Sequence, residues 1–172
     1  QPENGLYRFN YSLDSGAQTG MWHIRANTGD NQQRMWDFHV EDFMPERMAL
    51  NLTPQNAPVS PAADVSFAVT GAYLYGAPAS GNSLQGKLFL RPLRDAVPAL
   101  PGFQFGDIAE ENLSRSLDEV QTTLDDRGHA EVTAASQWQE SRSPLQVILQ
   151  ASLLESGGRP VTRTVRQPIW PA

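Results

Sequence analysis

The 172-residue sequence contains no cysteine. That excludes disulfides, thiolate metal sites, a cysteine nucleophile and any thioester within the chain. Lysine is nearly absent too: of thirteen basic residues, only Lys87 is not arginine. No short window is strongly basic and the net charge is -6. Phosphate backbones and anionic lipid surfaces attract basic patches, so neither nucleic acid nor direct membrane contact is expected. No apolar run approaches the ~20 residues needed to cross a bilayer. The chain starts at Gln1 rather than Met and shows no signal or lipidation motif, so it reads as an excerpt whose targeting segment lies elsewhere.

What is present is alternation. "YRFNYSL" sets Tyr7, Phe9, Tyr11 and Leu13 against Arg8, Asn10 and Ser12; "MWHIRA" alternates through Trp22, Ile24 and Ala26, and "MWDFHV" through Trp36, Phe38 and Val40. Period-two patterning of this kind predicts half-buried antiparallel strands. "DSGAQTG" and "NTGDNQQ" between them supply turn residues. Further on, the same rhythm predicts strands over "MALNL", "DVSFAVT", "GKLFL", "HAEVTA", "LQVILQASL" and "PVTRTVR". Short strands separated by turns indicate an all-β antiparallel sandwich.

One region breaks the rhythm. Residues 92–113 form a proline-rich loop, and "DIAEENLSRSLDEV" places Ile108, Leu113, Leu117 and Val120 at near-helical spacing, which predicts a short helix. Loops of this length in compact domains are usually functional or wrap an interface.

The stretch "VEDFMPERM" separates two groups of strands. Glu41, Asp42, Glu46 and Arg47 favour water, and Pro45 cannot continue a central strand. The predicted organisation is therefore a partial unit over 1–42, a connector over 43–47 and a complete sandwich over 48–172. About three strands before the connector are too few to cover Trp22 and Trp36. They look like the end of a domain that begins elsewhere, or a piece that pairs with the second unit or with another molecule. Glu41, Asp42, Phe43, Pro45 and Arg47 are the candidate connector residues, with Phe43 expected to plug the seam.

"VEDFMPERMALNLTP" followed by "GAYLYGAPASGNSLQGKLFL" resembles the bacterial alpha-2-macroglobulins, most closely those of the Escherichia and Salmonella type. "DSGAQTGMWHIRAN" and "TTLDDRGHAEVT" add to the likeness. The resemblance implies macroglobulin-like (MG) β-sandwich domains strung along a long periplasmic protein, tied to the inner membrane by an N-terminal lipid. It implies a broad-spectrum endopeptidase inhibitor that is cleaved in a bait segment and closes on the protease. Many members then bond to it through a thioester. This chain has neither the thioester cysteine nor a bait-like segment. The implied role is scaffold, with neighbouring MG domains as direct partners and target endopeptidases reached through the whole protein.

Other chemistry is weaker. "LDDRG" puts Asp125 and Asp126 before a turn glycine, but the EF-hand spacing is missing and a plain turn is expected. His23 and His39 could meet across a sheet, yet no third metal ligand is visible. No G-x-S-x-G elbow accompanies the three histidines. Lys87 alternates with Leu88 and should face solvent, which disfavours a strand cross-link to asparagine. The triplets at Asn10, Asn51 and Asn112 fit the glycosylation pattern, as chance allows with eight asparagines. No catalytic, metal or cofactor residue is assigned, and an enzyme is not expected. The alternative function is a cell-surface β-sandwich for adhesion or carbohydrate binding, with Tyr11, Trp22, Trp36 and Phe38 as a sugar platform. In-phase aromatics are more often core.

Overall fold

The computed structural model describes residues 8–27, 29, 33–42, 45–54 and 59–171. It divides into two compact units, Gln1–Met44 and Pro45–Ala172. All nine described elements are strands.

In the first unit, β1 (Gly20–Asn27) and β2 (Gln33–Val40) form a two-stranded antiparallel hairpin. Trp22 lies opposite Phe38 and Ile24 opposite Trp36, so the alternation places the apolar side chains on one face. Trp22 and Phe38 rings sit 6.4 Å apart. No described residue of the unit covers that face fully: Ile24 and Trp36 are 51% and 53% exposed.

The strand expected over "YRFNYSL" does not form among its described residues. Residues 8–14 carry no strand, and Phe9 and Tyr11 are 86% and 73% exposed. Alternation states which face a segment would bury. It does not supply the neighbouring strand that must take up the backbone hydrogen bonds.

The second unit is a sandwich. One sheet has the order β3-β4-β7, from Met48–Pro54, Val65–Tyr73 and His129–Ala134. The other has the order β6-β5-β8-β9, from Arg115–Thr123, Ser83–Pro92, Leu145–Leu154 and Val161–Ile169. All pairings in both sheets are antiparallel. Inward residues of both sheets merge into one core: Met48, Leu50, Phe67 and Val132 from the first, and Leu84, Leu88, Val147, Leu149 and Leu153 from the second. β8 buries every second residue from Leu145 to Leu153, as befits a strand paired on both sides. Pro168 is tolerated because β9 lies at the sheet edge, where one row of amides needs no ladder partner.

The predicted helix near Ile108–Val120 is instead loop followed by β6. The register shifts between Leu88–Asp118 and Phe89–Ser116, leaving Leu117 as the extra residue of a bulge. The bulge turns Leu117 to the same side as Val120, and both pack against the core. Two inward residues three apart therefore imitate helical spacing. Ile108, the first of the four residues on the supposed helical face, is 96% exposed.

Candidate connector site

The connector residues occupy irregular backbone on the water side. Glu41 and Asp42 are exposed after β2, and Pro45, Glu46 and Arg47 are exposed before β3. Phe43 lies outside the described residues. Glu41 carries its carboxylate 3.6 Å from His39 Nε2. Within the second unit, Arg163 Nη2 donates to Glu46 Oε2 at 3.2 Å, and the Leu74 amide donates to the Arg47 carbonyl at 2.9 Å. Residues 46 and 47 are thus seated on β9 and on the turn after β4. An exposed ion pair of this kind contributes at most about 1 kcal/mol, so its role is placement more than stability. Sequence reading missed Arg163 and Leu74. Glu46 and Arg163 are 117 residues apart, and only the sandwich closes that distance.

The motif "GAYLYGAPASGN" has a physical reason for its composition. Tyr73 N–H donates to the Ala77 carbonyl, Gly76 N–H to Tyr73, and Ala79 N–H to Gly71. The turn between β6 and β7 docks on this knot: Gly71 N–H donates to the Gly128 carbonyl, Leu124 N–H to the Asn82 carbonyl, and Gly81 N–H to the Leu124 carbonyl. A Cβ on Gly71 would stand 2.5 Å from Leu124 Cδ1 and 2.8 Å from Leu153 Cδ2, so any larger residue would push both leucine side chains aside. Tyr73 and Tyr75 stack with centroids 5.2 Å apart, and Leu74 and Tyr75 stay 68% and 79% exposed beside Arg47.

Within the turn, Asp125 caps the backbone. Its Oδ1 accepts from the amides of Arg127 and His129, each at 2.8 Å. These amides, that of His129 above all, hold its carboxyl below the ordinary aspartate value. A depressed carboxyl stabilises the fold above its unfolded value and loses that contribution as pH falls through its folded value. Asp125→Asn keeps an acceptor without the charge. The variant should be less stable than wild type at neutral pH, and its acid-unfolding limb should be flatter, so that the difference shrinks as pH falls below the ordinary aspartate value; parallel acid limbs in a pH series of urea melts would refute this.

The remaining candidates separate. His23 Nδ1 meets Asp37 at 2.6 Å across the hairpin, while His39 lies opposite Met21, so the two histidines are not directly paired and each has a carboxylate beside it. Among the described residues no group of three His, Asp or Glu side chains is placed to hold a metal. Lys87 faces outward and pairs with Glu119 at 2.9 Å. No helix among the described residues is long and apolar enough to cross a membrane.

The family model of the bacterial alpha-2-macroglobulin MG5 domain matches residues 46–171. The chain is 74% identical over 172 residues to alpha-2-macroglobulin of Escherichia coli K12, covering 100% of itself and 10% of that protein. It is 32% identical over 174 residues to alpha-2-macroglobulin of Xylella fastidiosa, covering 99% of itself and 11% of that relative. It therefore spans about a tenth of the length of these curated relatives. Among solved structures it is similar to the native conformation of the E. coli protein, with TM-score 0.79 and 74% identity over 99% of this chain and 11% of that one. Against the Salmonella protein reacted with methylamine the TM-score is 0.78 at 78% identity, over 100% of this chain and 11% of the other. Against the trypsin-activated E. coli protein it is 0.73 at 74% identity, over 99% and 12%. The chain belongs to the bacterial alpha-2-macroglobulin family, and residues 46–171 are its MG5 domain.

Proposed function

We propose that this segment is a scaffold module of a broad-spectrum endopeptidase inhibitor that closes on its target after bait cleavage. The observation that carries the reading is the whole-chain identity to the E. coli protein, for which trypsin-activated and elastase-activated structures exist. The chain supplies no thioester cysteine. Its role in such a protein is to hold neighbouring MG domains in place and pass on the rearrangement, not to touch substrate chemistry or act as an enzyme. Residues 1–42 are read as the last strands of a preceding MG domain, because the apolar face of β1 and β2 lacks a full cover among the described residues of its unit. The periplasm and an N-terminal lipid anchor on the inner membrane are the setting that this reading gives the full-length protein.

Two constructions test it. The 172-residue chain alone should leave trypsin fully active on a large protein substrate at any molar ratio. The same chain grafted in place of the matching segment of E. coli alpha-2-macroglobulin should preserve trypsin trapping. Stoichiometric inhibition by the isolated chain would overturn the scaffold role, as would a folded, bait-cleaved chimera that no longer traps.

A further inference from the structure

The loop between β5 and β6 crosses one end of the sandwich and is pinned to the segment before β8. Phe105 N–H donates to the Arg94 carbonyl at 2.9 Å. Asp107 N–H donates to Ser143 Oγ at 2.9 Å, and the Arg142 amide donates to Glu110 Oε1 at 3.1 Å. Arg115 spans the base of the lobe, donating to the carbonyls of Asn112 and Gln137. The lobe 107–111 hangs between two residues in left-handed backbone, Gly106 at φ 119° and Asn112 at φ 59°. At Gly106 a Cβ would lie 2.7 Å from Ser143 Oγ, so this end is tightly seated.

Two polar atoms in this region lack partners. Trp138 is 3% exposed with no acceptor for its indole Nε1–H, and Glu110 Oε2 is covered with no donor in bonding geometry. Both residues line the same groove, with Leu90, Leu113, Arg115 and Leu145. Burial raises the Glu110 carboxyl, but the Arg142 amide on Oε1 together with the Ser143 and Ser141 hydroxyls nearby outweighs it and keeps the group below the ordinary glutamate value, hence charged at neutral pH. A buried indole N–H and a charged carboxylate oxygen are complementary, and a native structure seldom leaves either unpaired.

We propose that the 107–111 lobe is a strap with a more deeply seated position, in which Trp138 Nε1–H donates to Glu110 Oε2. Glu110 is then the latch of the strap and Trp138 its keeper. The latch fixes where the strap presents Ile108, which is 96% exposed. Glu110 acts as a positioning residue for that apolar tip.

Side-chain indole resonances of the isotopically labelled chain test the proposal. Four tryptophans give four indole signals, and Trp138→Phe assigns one of them. The expected wild-type Trp138 signal is downfield and slow to exchange. In Glu110→Ala it should move upfield and exchange about tenfold faster or more, as expected for loss of a bond to a charged acceptor. Backbone amides of residues 105–113 should lose protection with it, while those of β4 and β8 stay protected. Should Glu110→Ala fail to fold, Glu110→Gln decides alone: its neutral oxygen is a weaker acceptor, so the Trp138 signal must shift while the other three stay. A Trp138 indole indifferent to both variants is bonded to water or to a carbonyl, and the latch is then refuted.

Discussion

Phe67→Ala should cost the second unit about 3–5 kcal/mol, the largest loss expected from one side-chain truncation here. Phe67 is fully buried on β4, the central strand of the three-stranded sheet, between Pro54 of β3 and Val132 of β7. Its ring enters the core shared with Leu149 and Leu88 of the opposite sheet. Removing it forfeits the transfer of a large apolar surface and leaves a cavity whose walls are strands fixed by ladders on both sides, so little collapse can fill it. Domains of this size are stable by roughly 5–15 kcal/mol, so the variant would lose about a fifth or more of that margin. Urea unfolding followed by far-ultraviolet circular dichroism measures the loss, with Ile108→Ser as control. Ile108 touches water almost entirely, and its replacement should change stability by no more than about 0.5 kcal/mol. A Phe67→Ala loss below about 1 kcal/mol would mean the two sheets do not share this core.

Gly128→Ala should be the second most damaging change, for a backbone reason. Gly128 has φ 76°, and a Cβ there would overlap the Gly71 carbonyl oxygen and lie 3.1 Å from Ala79 N. Neither neighbour can rotate away, because both atoms belong to the knot that joins the β4 end to the β6–β7 turn. Left-handed strain in a non-glycine residue costs about 1–3 kcal/mol. Displacement of the Gly71–Gly128 and Ala79–Gly71 hydrogen bonds adds to it, at about 0.5–1.5 kcal/mol each. Gly157 isolates the two contributions. It has φ 70° with nothing within 4 Å of a Cβ, so Gly157→Ala should show the strain alone. The Gly128 variant should melt clearly below the Gly157 variant. Equal melting temperatures would show that the close approach of Gly71 and Gly128 is not structural.

Among the strands that period-two alternation identified, β4 and β8 bury one face and meet both neighbours in unbroken register. Val65, Phe67 and Val69, and the five inward residues of β8, could be read directly because the pleat alone decides which residues turn inward. The sequence also carried the exclusions, since chemistry that requires cysteine or a basic patch needs no fold to rule it out. The resemblance rested on glycines and prolines whose spacing encodes the turn knot, so the family was legible too.

What the sequence did not carry depends on partners distant in the chain. β6 was mistaken for helix because its bulge is defined against β5 and has no local mark. Residues 8–13 alternate like a strand but have no sheet neighbour among the described residues, and alternation cannot provide one. Trp138 gave no periodic signal, yet the loops that close one end of the sandwich bury it. The charges of Glu46 and Arg47 were visible, but their seats on Arg163 and Leu74 were not. Local pattern determined the class of fold and the inward faces, because backbone geometry acts over a few residues. Tertiary structure alone decided register, loop anchoring and the seating of the connector, because those bonds join residues that only the closed sandwich brings together.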